Sequence, residues 1–187
     1  RVDYGLPDDA FVYCCFNQSF KITPDVFACW MRLLQQVPDS VLWLLESNAT
    51  ATANLQQAAQ AAGIDPARLV FAPRVNMADH LARHALADVF LDTQPYNAHT
   101  TASDALWMCL PVLTFSGDTF ASRVAGSLLH AVNLPELIAA DMAAYETMAI
   151  RLAREPELLE SLRERLQQSS ADLPLFDTRQ FARKLEA

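Results

Sequence analysis

Val89-Phe90-Leu91, the loop Asp92 to Ala98, and then His99-Thr100-Thr101-Ala102-Ser103-Asp104 read as strand, loop and helix start in immediate succession. The helix is expected over Thr101–Met108. A helix N-terminus carries unpaired N–H groups and a partial positive charge. Two threonine hydroxyls and an imidazole at that end make a cradle for a phosphate. Capping by Thr100 or Thr101 uses the same groups, and a cap and an anion are compatible. Asp104 lies one turn inside, where it can accept from a ribose hydroxyl or simply favour the helix dipole.

The same pattern extends in both directions. Strands are expected at Phe11–Phe16, Val41–Leu45, Leu69–Ala72, Asp88–Leu91 and Pro111–Phe115, with a short sixth near Leu137–Ile138. They are rich in Val, Leu and Phe with little alternation, as strands covered on both faces are. Helices are expected at Pro24–Val37, Thr52–Ala62, Met77–Ala87, Thr119–Val132, Met142–Glu155, Glu157–Ser169 and Thr178–Leu185. Thr23 is placed to cap the first, with Pro24 at its first position. Asn76 is placed to cap the third, and Gly63 to close the second. Alternating strands and helices predict an α/β fold, a Rossmann-like doubly wound parallel sheet in one domain spanning 1–187, with a helical tail from about residue 140.

Hydrophobic residues are 52% and charged residues 19% of the 187, a globular composition. A net charge of −8 excludes a general nucleic-acid or anionic-membrane binder, so an anionic ligand needs a local positive site. No apolar run reaches the length of a membrane span. The chain begins at Arg1 without a signal-peptide pattern, which predicts a piece of a longer protein. Cys14, Cys15, Cys29 and Cys109 lack C-x-x-C spacing and lie in apolar or helical segments, so buried free thiols and a cytoplasmic protein are expected.

In doubly wound sheets ligands bind beyond the carboxyl ends of the strands. Asn17–Lys21, Pro73–Asp79 and Asp92–Thr101 all fall there. Gln18 is able to donate to a phosphate oxygen and Lys21 to supply a point charge, although a loop lysine is commonly just solvated. His80 and His84 have zinc-compatible spacing but no third ligand nearby, and His80 is better placed against a base or ribose. His130 sits on an apolar helix and reads as structural. D-x-D, G-x-G-x-x-G, Walker and G-x-S-x-G motifs are all absent, which argues against a metal-chelated diphosphate, a dinucleotide dehydrogenase, an NTPase and a serine hydrolase. A response regulator needs an acidic cluster and a phosphoacceptor Asp at the strand ends, and only Asp92 is suitably placed, without acidic partners.

Phe16-Asn17-Gln18-Ser19-Phe20-Lys21-Ile22, Val37 through Leu45, Leu91-Asp92-Thr93, Tyr96 through Trp107, Ala121 through Ala125 and Leu173 through Thr178 resemble, in order, motifs of the O-GlcNAc transferase family. The resemblance implies the C-terminal lobe of a glycosyltransferase-B fold, with a second lobe and tetratricopeptide repeats outside this chain. It implies inverting, metal-independent transfer of N-acetylglucosamine from UDP-GlcNAc to protein Ser or Thr, with no cofactor. By motif, Gln18 and Lys21 hold the diphosphate and Lys21 is catalytic. His99, Thr100 and Thr101 contact phosphates, Asp104 the ribose. His80 packs on the nucleoside, Arg83 lies near the uracil and the Val75 backbone reads the base edge. Met77 departs from the lysine found at the ribose contact in animal members, and Arg74 is a conceivable substitute. The alternatives are a Spindly-like protein O-fucosyltransferase lobe using GDP-fucose, and a non-catalytic nucleotide-sugar-binding domain. With no general base or acceptor groove evident, the lobe alone is expected to be inactive.

Overall fold

Each strand grows from a run of apolar residues, and the first three crossover helices from a polar cap. In the computed structural model, which describes residues 1–169 and 175–186, β1 (Phe11–Cys15) is followed by α1 (Pro24–Gln36), where the Thr23 hydroxyl accepts from the Val26 N–H at 3.4 Å. Then come β2 (Ser40–Leu45), α2 (Ala49–Ala61), β3 (Leu69–Ala72) and α3 (Met77–Arg83). The chain continues through β4 (Val89–Leu91), α4 (Thr100–Trp107), β5 (Val112–Phe115), α5 (Val124–Ala131) and a two-residue β6 (Ile138–Ala139). Three helices close it: α6 (Met142–Arg154), α7 (Pro156–Ser169) and α8 (Thr178–Glu186). Leu173 and Pro174 of the closing motif lie outside the described residues.

The six strands are parallel in the order β3-β2-β1-β4-β5-β6. The chain winds outward from β1 to β3, returns to lay β4 beside β1, and winds outward again. The reversal between β1 and β4 is the switch point, where a crevice opens at the carboxyl ends. Tyr13 pairs with Val89 and Cys14 with Phe90 across it. Of the central strands β4 is wholly buried and β1 is buried from Val12 onward, as are Trp30 of α1 and Tyr145 of α6. The Trp30 Nε1–H donates to the Tyr145 hydroxyl at 3.1 Å, and that hydroxyl donates to the Asp92 carbonyl at 3.1 Å. So α6 is bound into the core beneath the crevice.

Four local features depart from expectation. Asn48 caps α2 through the Ala51 N–H at 2.9 Å, which starts that helix at Ala49 rather than Thr52. Gly63 follows its end at φ 77°, a left-handed position that suits glycine. The expected Met77–Ala87 helix stops at Arg83 because the His84 imidazole bonds the carbonyls of His80 and Leu81, and His84–Leu86 tightens to a 3-10 turn. Thr119 and Ser122 cap one another in a separate 3-10 turn, so α5 begins only at Val124. His130 lies on the exposed face of α5 rather than its apolar one. All four cysteines are free thiols, three buried and Cys109 half-buried.

Candidate functional site

The crevice is built by the loops that leave β1, β3 and β4. Asn17, two residues beyond the end of β1, is almost fully buried, and its side chain ties two segments together. Its Nδ2 donates to Thr93 Oγ1 at 2.9 Å and its Oδ1 accepts from Thr101 Oγ1 at 2.5 Å. Thr101 is thereby held by its hydroxyl rather than used as a cap. The position before α4 is His99, whose side chain makes no capping bond, and Thr100 is exposed. The first N–H groups of α4 therefore have no side-chain cap. His99 Nε2 is buried without a hydrogen-bond partner in the structure, a polar atom that calls for one.

Lys21 reaches across the switch point. Its Nζ donates to the Asn97 carbonyl at 2.8 Å and lies 4.0 Å from the centre of the Tyr96 ring. Burial lowers its pKa, and the Asp92 charge works against that. Asp92 itself is sealed at the end of β4. It accepts from the N–H groups of Thr93 at 2.7 Å and Ala98 at 2.6 Å, and from the Thr114 hydroxyl at 2.7 Å. Burial pushes its pKa up to about 7 despite those three donors. Its role is to shape the loop that carries Asn97 and His99.

Beside this polar centre is a cavity of about 240 Å³, lined by Phe16, Gln18, Leu45, Arg74, Val75, Met77, His80, Arg83 and Thr101. Gln18 Oε1 accepts from Arg74 at 3.0 Å on its rim. Arg74 thus stands beside Met77 at the cavity. Arg83 is 2% exposed. Its guanidinium lies 4.3 Å from the Phe16 ring centre and donates to the Pro73 carbonyl at 2.8 Å and to His80 Nδ1 at 2.6 Å. Because arginine only donates, His80 Nδ1 is an acceptor and the neutral ring carries its proton on Nε2. Burial and the Arg83 charge lower the His80 pKa in agreement with that tautomer. His80 Nε2 faces Asp104 Oδ2 at 3.8 Å, and burial raises the Asp104 pKa.

Of the residues singled out in the sequence, Gln18, Val75, His80, Arg83 and Thr101 share this cavity. Asp104 reaches it through His80, while Lys21 and His99 meet at Tyr96, whose ring stacks on His99 with centroids 5.1 Å apart. His80 and His84 meet edge to face, each with Nδ1 already engaged, and among the described residues no group of three His, Cys, Asp or Glu side chains is placed to hold a metal ion. Asn17, Tyr96 and Asn97 do not stand out individually in the sequence. A polar side chain directly after a buried strand, as Asn17 is, is the signal that marks such a residue.

A sequence model of glycosyl transferase family 41 matches residues 1–185. The chain belongs to that family. Among family 41 relatives, a probable UDP-N-acetylglucosamine–peptide N-acetylglucosaminyltransferase, SEC, of Arabidopsis thaliana is 39% identical over 100% of this chain and 19% of its own length. The UDP-N-acetylglucosamine–peptide N-acetylglucosaminyltransferase of Caenorhabditis elegans is 38% identical over 100% of this chain and 16% of its own. A solved variant of the Thermobaculum terrenum O-GlcNAc transferase superposes with TM-score 0.91 at 32% identity, over 96% of this chain and 35% of that one. The lipopolysaccharide glycosyltransferase WaaG shares the fold at 14% identity and TM-score 0.74, over 97% of this chain and 48% of that one. The sheet is thus of the glycosyltransferase-B kind. The chain spans a fifth or less of the length of these two curated relatives. No helix among the described residues is long and apolar enough to cross a membrane.

Proposed function

We propose that this chain is the donor lobe of an inverting, metal-independent glycosyltransferase that moves N-acetylglucosamine from UDP-GlcNAc to Ser or Thr hydroxyls of proteins. One observation carries the reading: Lys21, the unpartnered Nε2 of His99 and the start of α4 converge at the switch point, beside a cavity of nucleoside size. Breaking the glycosidic bond to UDP builds negative charge on the β-phosphate. Fixed donors aimed at that charge stabilise it without reorganising. The Lys21 ammonium, the α4 N–H groups and the Thr100 hydroxyl supply such donors, with Gln18 on the cavity side. These groups are cationic or neutral, the character suited to meeting a diphosphate without a divalent ion. In the cavity, His80 and the Val75 backbone would face the nucleoside, Arg83 would brace His80, and Asp104 would accept from the ribose.

Inversion needs an acceptor oxygen on the far side of the sugar and a base to take its proton. Asp92 is sealed and triply hydrogen-bonded, and Asp104 faces His80, so neither is open to an acceptor. The second lobe would complete the cleft, and Phe20 and Phe120, 77% and 83% exposed on this rim, are apolar ground for it.

The test is calorimetric titration of this chain with UDP, against GDP and with a chelator present. Saturable UDP binding, weakened in Lys21→Ala and in His99→Ala, is expected. A preference for GDP would move the reading to the Spindly-like fucosyltransferase. Binding of neither nucleotide would overturn donor recognition by this lobe, and UDP binding with no transfer by the complete two-lobed protein would favour a regulatory domain.

A further inference from the structure

Tyr96 is 44% exposed, so burial alone does not hold its ring. Its backbone, by contrast, is fixed. The Thr93 hydroxyl donates to the Tyr96 carbonyl at 2.7 Å, and the same hydroxyl receives Asn17, which in turn receives Thr101. The ring has Lys21 Nζ over it at 4.0 Å and the His99 imidazole stacked on it, 21° from parallel.

We propose that Tyr96 is a positioning residue, a phenol ring that holds the Lys21 ammonium and the His99 imidazole in place so that both address one diphosphate. The proposal rests on the donor-site reading above. A lysine stem has many rotamers, and fixing it on ligand arrival costs affinity. Here the Asn97 carbonyl takes one ammonium proton and the ring attracts the charge, which leaves a further N–H for a phosphate oxygen. The ionisable groups facing Lys21 are Asp92 from the end of β4 and the Cys15 thiol from β1. Asp92 has its oxygens engaged by other donors, so it steadies the charge without orienting it. The orienting contacts are the carbonyl and the ring.

The chain has two lysines, Lys21 and Lys184, so lysine labelled with carbon-13 at Cε alone gives two ε-methylene signals in an NMR spectrum. The Lys21 signal should be displaced upfield by the ring, move to the Lys184 position in Tyr96→Leu, and stay displaced in Tyr96→Phe. UDP affinity should fall about three- to tenfold in Tyr96→Leu and stay within about twofold in Tyr96→Phe. No displaced signal in the parent protein overturns the positioning role even if UDP binds. Equal UDP affinity in Tyr96→Leu, or equal losses in both variants, overturns it too. A displaced signal without UDP binding by the parent removes the donor reading, and the positioning role falls with it.

Discussion

Replacing Asp92 with asparagine should make the protein's stability less sensitive to alkali. The Asp92 carboxyl is 1% exposed and its pKa is pushed up from 3.8 to about 7. A carboxyl whose folded pKa is raised contributes most below its unfolded pKa, and that contribution is lost as pH rises toward the folded value. Each tenfold difference in proton affinity between the folded and unfolded chain is worth about 1.4 kcal/mol, so the parent should lose roughly 3 kcal/mol from this group between pH 5 and pH 8. Asparagine imitates the protonated acid. Its Oδ1 keeps the N–H groups of Thr93 and Ala98, its Nδ2 donates to Thr114 Oγ1, and the Thr114 hydroxyl turns toward the Phe115 carbonyl at 3.5 Å. Urea unfolding of both proteins at pH 5, 6, 7 and 8 measures the difference directly. His80 and His84 titrate in both and cancel. The gap in unfolding free energy should widen in favour of Asp92→Asn by about 2–3 kcal/mol across that range. Parallel curves would refute the reasoning and mean that Asp92 is charged in the fold at little cost.

On the acid side, burial holds the His84 pKa down at about 4, so His84 contributes a loss of about 2 kcal/mol as pH falls from 7 to 5, opposite in sign to Asp92, and His84→Phe should gain that amount on the parent over the same range in the same assay. Lys21→Ala in the complete protein should lower transfer at least about a hundredfold while weakening UDP less; turnover at the parent rate would remove Lys21 from the mechanism. Tyr145→Phe leaves the Trp30 N–H without its acceptor and should cost about 1–3 kcal/mol in urea unfolding. A loss below about 0.5 kcal/mol would mean that the N–H finds another partner.

The winding of the sheet was legible because its strands are covered on both faces and so read as unbroken apolar runs, and because Thr23 and Asn76 are capping residues that cap. Local competition was not legible. Nothing in His80 to Leu86 announces that the His84 side chain takes the carbonyls that would continue α3. Residue types at the crevice were readable for a similar reason: polar residues after apolar runs stand at strand ends. Their partnerships were not, because Lys21 and the Asn97 carbonyl are 76 residues apart and meet only once β4 returns beside β1. Arg83 shows the limit most clearly. Its type suits a nucleobase, but only the fold shows that Nη1 and Nη2 go to Pro73 and His80 and that Nε is buried without a partner.

The crevice draws its two halves from different depths of the sheet. The groups around Lys21, Asn97 and His99 hang from β1 and β4, each with a strand on either side, whereas Arg74 and Val75 follow β3, which has one neighbour, β2. Edge strands open at lower free energy than central ones. Substitutions at the β3 end are therefore absorbed locally, while those at the β1–β4 junction propagate into the core. On the donor-site reading proposed above, a lineage built on this scaffold would be free to exchange one nucleobase preference for another, and to keep the pyrophosphate grip unchanged through the transition.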